Sequence, residues 1–124
     1  MLKDKTLVKA ERNARLRRRI RRIVRGTAER PRVHVYKSNR YIYTQAVNDE
    51  TGTILASAST LEKDFREHHK NAKNLSSCEA LGAILAERLK ARNIAAIVLD
   101  RGVYPYHGRL KALAEAMRKG GLVF

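Results

Sequence analysis

Apolar and polar positions change period several times along the chain, and each change predicts an element. Over Thr6 to Val24, the apolar residues Leu16, Ile20, Ile23 and Val24 fall at i, i+4, i+7 and i+8, which predicts a basic helix. Gly26-Thr-Ala-Glu-Arg-Pro31 breaks it, because glycine ends a helix and proline drives its predecessor into extended backbone. Arg32 to Lys37 then alternates with period two, Ser38-Asn39 supplies a turn, and Tyr41 to Asn48 alternates again. A second turn, Asn48 to Gly52, leads into a third strand over Thr53 to Thr60, and such short turns make an antiparallel meander.

Glu62 to Asn74 is polar and predicts a loop or a frayed helical turn. Helix period returns with Leu75, Cys78, Leu81, Leu85 and Leu89. Ile94 to Asp100 is a nearly continuous apolar run, the pattern of a strand covered on both faces. Arg101 to Gly108 is a loop rich in ring and basic side chains. Leu110, Leu113, Ala114 and Met117 then predict a last helix that stops at Gly120-Gly121. The expected fold is α/β. A mixed sheet of about four strands, an antiparallel three-strand meander plus one parallel strand, carries two packed helices, and a basic N-terminal helix or tail precedes it.

Side chains alternate across a sheet, so the meander sorts into two faces. Val33, Val35, Ile42, Ala46, Ile54, Ala56 and Ala58 suit the underside of the helices, provided no bulge interrupts a strand. His34, Tyr36, Ser38, Tyr41, Tyr43, Gln45, Ser57 and Ser59 form a polar, aromatic face beside Lys37, Asn39 and Arg40. Flat rings among cations are a platform for stacking on bases and contacting phosphates, although tyrosine is also simply a good strand former. Tyr104, Tyr106 and His107, between Arg101 and Arg109, make a second cluster of the same kind.

Charge sharpens this picture. The 124 residues, enough for one domain, hold 27 Lys/Arg against 12 Asp/Glu, a net of +15. Met1 to Arg32 alone hold 13 against 3, a net of +10, so most of the excess lies in the first quarter. Arginine outnumbers lysine there, and a guanidinium forks onto phosphate oxygens where an ammonium is only a point charge. Few acids lie near enough to neutralise Arg12, Arg15, Arg17, Arg18, Arg19, Arg21, Arg22 and Arg25, so an external polyanion is expected to supply the counter-charge. Arg30 and Arg32 extend the run past the break. The expected organisation is a basic extension over residues 1–25 and a globular RNA-binding domain over 26–124. A membrane surface is the weaker reading of the same stripe, which is short and lacks aromatic residues.

Candidate chemistry is sparse. No apolar run reaches the roughly 20 residues of a membrane span, and no secretory leader pattern is present. Cys78, the single cysteine, excludes an internal disulfide and sits on an apolar helical stripe as a small core residue. His68-His69 have no carboxylate or cysteine at ligand spacing, so neither a metal nor a cofactor is expected. Asp100 ends an apolar strand, where α/β enzymes often place catalytic groups, but no further acids converge on it in the sequence. An anchor for the following loop is the better reading, and no catalysis is expected.

Four segments, in order, carry a resemblance across nearly the whole chain. They are Gly26 to Arg32, Val35-Tyr-Lys-Ser-Asn-Arg-Tyr-Ile-Tyr-Thr-Gln45, Leu55-Ala-Ser-Ala-Ser-Thr60, and Asp100-Arg-Gly-Val-Tyr-Pro-Tyr-His-Gly-Arg-Leu-Lys-Ala-Leu-Ala114. With the arginine-rich tail before them, they resemble the bacterial-type large-subunit ribosomal proteins of the L-eighteen family. One departure is Val103, where family members often carry glycine. The resemblance implies a protein that binds 5S rRNA and helps attach it to 23S rRNA in the central protuberance. It also implies neighbouring large-subunit proteins as partners, a monomer within the ribosome, and a cytoplasmic or organellar ribosome as its location. Carried onto this sequence, the tail arginines, Ser38 to Tyr43 and Arg101 to Arg109 become RNA-contacting candidates. Two other readings compete: a non-specific DNA-compacting protein, and a nuclease built on Asp100.

Overall fold

A computed structural model describes residues 5–38, 40–68, 74–100 and 106–124, without the side chains of 5–7 and 20–23. Its elements are α1 (Lys5–Ile23), β1 (Arg32–Lys37), β2 (Ile42–Asn48), β3 (Thr53–Ser59), α2 (Lys63–His68), α3 (Leu75–Ala91), β4 (Val98–Asp100) and α4 (Arg109–Lys119). The sheet order is β3-β2-β1-β4, with β1/β2 and β2/β3 antiparallel and β1/β4 parallel. This is the expected mixed sheet: β3 and β4 run the same way but occupy opposite edges, joined by a crossover through α3.

The core lies between one sheet face and the helix pair α3/α4. Val33, Val35, Ile42, Ala46 and Ala58 of the sheet meet Cys78, Leu81, Leu85 and Leu89 of α3 and Leu110, Leu113 and Met117 of α4. Gly82 lets the helices close, because a Cβ there would overlap the Leu113 carbonyl oxygen. Thr44 is polar yet fully buried on the same face, and its hydroxyl is satisfied by donating to the Ala58 carbonyl at 3.0 Å. Asn74 caps α3, its side-chain oxygen accepting from Ser77 N–H at 2.8 Å.

Three expectations change. Ile54 is 51% exposed rather than core, because the β2/β3 register shifts between Ala46 and Val47. Ala46 pairs with Ala56 but Val47 with Ile54, so Leu55 is the extra residue of a bulge and packs against the core in its place. Leu75 is 54% exposed, since it opens the helix at the cap and the buried stripe starts only at Ser77 and Cys78. The helical turn allowed for the polar stretch after β3 is the six-residue α2, anchored by buried Phe65. Finally, the apolar run before Asp100 is not a strand covered on both faces. Its ladder spans only Val98–Asp100 at the sheet edge with Val98 and Leu99 partly exposed, while Ile94 and Ile97 are buried ahead of it.

Candidate nucleic-acid interface

The face opposite the helices is built in rungs across the strands. Ser57 pairs with Gln45, Gln45 with His34, and His34 with Asp100, so four polar residues cross the whole sheet in register. The next rung is Ser59–Tyr43–Tyr36. Tyr36 and Tyr43 face each other with ring centroids 6.0 Å apart and planes tilted by 39°, and Tyr36 is 51% exposed. His34, Tyr36, Tyr43 and Gln45 line one open depression of about 400 Å3. Its chemistry is two flat rings, an imidazole and an amide on rigid strand backbone, a surface suited to unstacked bases.

The β1–β2 turn is closed by Ser38. Its N–H donates to the Tyr41 carbonyl at 2.9 Å, and its hydroxyl accepts from Tyr41 N–H at 3.1 Å. Arg40 stands exposed at this turn, with Lys37 and Tyr41 partly buried beside it. Asn39 lies outside the described residues.

Arg32 is placed differently from its neighbours in the basic run. It is 7% exposed, forks onto both Asp49 oxygens at 2.9 and 3.0 Å, and reaches Asp100 Oδ2 at 2.8 Å. His34 Nδ1 is buried, with that same Asp100 oxygen at 3.5 Å, beyond a good hydrogen bond. Asp49 also accepts from Gly26 N–H at 2.7 Å. The Arg32 guanidinium holds the Asp49 carboxyl below the usual carboxylate range against the opposing effect of burial, with the Gly26 N–H adding to the lowering. Arg32 therefore ties the segment after α1, the sheet face and the end of β4 together. Asp49 had no sequence signal beyond its place in a turn. Asp100 holds Arg32, while residues 101–105 of the loop it was expected to anchor lie outside the described residues.

On α1, Arg12, Arg15, Arg18 and Arg19 line one open surface together with Leu16, which is 40% exposed. The side chains of Arg21 and Arg22 lie outside the described ones; Arg17 is on the same helix, and Arg25 and Arg30 are exposed beyond it. Past β4, Arg101 and Tyr104 are not described, and His107 and Arg109 are exposed at the start of α4. The Tyr106 hydroxyl accepts from Arg118 Nη1 at 3.1 Å, and Arg118 lies 4.3 Å from the centre of the Phe124 ring. Neither Arg118 nor Phe124 stands out in the sequence, where a basic residue in a last helical turn reads as ordinary. Among the described residues no group of three His, Cys, Asp or Glu could hold a metal ion.

Comparison with known proteins bears on what this surface meets. The family model described as "Ribosomal L18 of archaea, bacteria, mitoch. and chloroplast" matches residues 5–124. The chain belongs to this L-eighteen family of ribosomal proteins. Relatives named "Large ribosomal subunit protein uL18" include one from Caldicellulosiruptor saccharolyticus, 50% identical over 107 residues, 86% of each chain. Another, from Rhodospirillum centenum, is 45% identical over 92% of this chain and 96% of its own. A third, from Solibacter usitatus, is 47% identical over 94% and 95%. As a family member the chain is a structural constituent of the large ribosomal subunit, associated with rRNA and other subunit proteins, and not an enzyme.

Proposed function

We propose that this chain binds 5S rRNA and helps attach it to 23S rRNA in the central protuberance. In this reading the chain works as two parts. Residues 26–124 read RNA shape and unstacked bases through the rungs carrying Tyr36, Tyr43, His34 and Gln45. Residues 1–25 add affinity as arginines engage phosphates. The strongest support is the Tyr36–Tyr43 pair on a rigid strand face, with Tyr36 half exposed. A cross-strand ring pair also steadies a sheet, but these rings share an open depression with His34 and Gln45, and single-stranded RNA loops are recognised by stacking on such rings. Arg32 acts here as a positioning residue, since its guanidinium is committed to Asp49 and Asp100.

The test is binding of Tyr36→Ala/Tyr43→Ala to 5S rRNA. Stacking is worth about 1–3 kcal/mol per base, so affinity should fall roughly 10- to 100-fold while the salt dependence keeps its slope. Unchanged affinity would remove the sheet face from the interface.

A further inference from the structure

β3 forms one edge of the sheet, and three of its outward backbone groups are met by side chains rather than by a strand. Thr60 N–H donates to the Ile42 carbonyl, so 60, 58 and 56 face β2 while 59 and 57 face outward, and at the bulge the Leu55 carbonyl is reached from outside. At each of these positions one backbone group is engaged by a side chain. Glu62 Oε2 accepts from Ser59 N–H at 2.9 Å, Arg88 Nη1 donates to the Ser57 carbonyl at 2.6 Å, and Arg92 Nη1 donates to the Leu55 carbonyl at 2.6 Å. Glu62 also pairs with Arg88 Nη2 at 2.9 Å, linking the first two of these.

The spacing is what makes this possible. Residues four apart on a helix rise about 6 Å, and residues two apart on a strand about 6.7 Å. Two arginines one turn apart, at the end of α3, therefore reach alternate carbonyls of a strand running the other way. The Arg88 and Glu62 side chains are 43% and 40% exposed, so their ion pair adds little stability, and the bonds to the strand carbonyls are the distinctive feature.

We infer that Arg88, Arg92 and Glu62 form a guard that keeps β3 from pairing edge to edge with β3 of a second copy of this chain. The strand needs one. Thr53 to Ser59 is uncharged, contains no proline, and presents exposed Ile54, the composition of a segment prone to strand addition. The net +15 keeps free copies apart, but salt or a bound polyanion removes that repulsion and leaves only the side chains at the edge. The guard also accounts for two of the chain's arginines without any phosphate, so it stands independently of the RNA-binding reading.

The experiment is sedimentation of the full chain at about 1 M salt, where the screening length is about 3 Å, over a wide concentration series. The wild-type chain should stay monomeric. Arg88→Ala/Arg92→Ala should show a weight-average mass that rises with concentration towards about twofold. Adding Ser57→Pro should restore the monomer, because the Ser57 N–H faces outward and its loss leaves the β2 ladder intact. If the double variant keeps its circular dichroism yet stays monomeric, the inference fails. Association that survives Ser57→Pro also overturns it, since pairing then occurs elsewhere. Should the double variant not fold, Arg88→Ala and Arg92→Ala singly carry the same test with a smaller mass rise, and monomers in both would overturn it.

Discussion

The backbone N–H of Gly26 donates to Asp49 Oδ2 at 2.7 Å, and the N–H of Asp49 donates back to the Gly26 carbonyl at 3.0 Å. This reciprocal pair clamps the segment after α1 against the end of β2. Glycine is required by space: a Cβ at Gly26 would overlap the backbone nitrogen of Arg32 and the carbonyl oxygen of Val47. Neither neighbour can move without breaking the β1/β2 ladder, where Arg32 pairs with Val47.

Gly26→Ala should therefore destabilise the fold by about 3 kcal/mol, the upper range for forced overpacking. Urea unfolding checks this through the shift in midpoint at unchanged slope.

Arg32→Ala should cost about 3–5 kcal/mol, because it leaves Asp100 buried without its guanidinium and removes the fork on Asp49. Urea midpoints again give the measurement, and a loss below about 1 kcal/mol would mean the cluster is dispensable for folding. Arg32→Lys should recover only part of the stability, since an ammonium cannot fork onto Asp49 while reaching Asp100.

Acid should act through Asp49. Its carboxyl titrates below the usual value in the folded chain, so its stabilising contribution is complete above the unfolded value near 4 and fades as pH falls through the folded one. Stability of the wild-type chain should fall between about pH 5 and pH 2. Asp49→Asn should start less stable at neutral pH and fall less steeply over that window, as read from urea midpoints at each pH. Parallel curves would assign the acid sensitivity to other carboxylates.

Much of the fold is legible in the chain. Period-two alternation reveals the meander and the Tyr36, Tyr43, His34, Gln45 face, because side-chain direction follows from the strand itself. The bulge at Leu55 is not legible, since Ile54, Ala56 and Ala58 alternate as smoothly as an unbroken strand. Nor is the inward turn of Arg32. Its partners lie 17 and 68 residues away, and an arginine that closes an arginine-rich run looks like its neighbours until the fold brings acids to it. The apolar run before Asp100 announces burial but not the edge position of β4, which depends on where the crossover lands.

Neutralising the exposed arginines of α1 should change electrostatics without changing the fold. Arg15→Gln/Arg18→Gln/Arg19→Gln should make the slope of log affinity against log salt shallower by about 2–3, roughly one for each phosphate no longer neutralised. The thermal midpoint should move little. An unchanged slope would mean that these three side chains do not engage phosphates.

Recognition of 5S rRNA by the folded domain, with the basic helix adding charge, stands at the centre of the proposed function. A salt titration of binding to 5S rRNA, with excess tRNA as competitor and a DNA duplex of equal length alongside, tests it without any substitution. Binding to 5S rRNA should persist against tRNA and exceed duplex binding at every salt concentration. Equal competition by tRNA and equal affinity for the duplex would contradict it, leaving a surface that binds any polyanion.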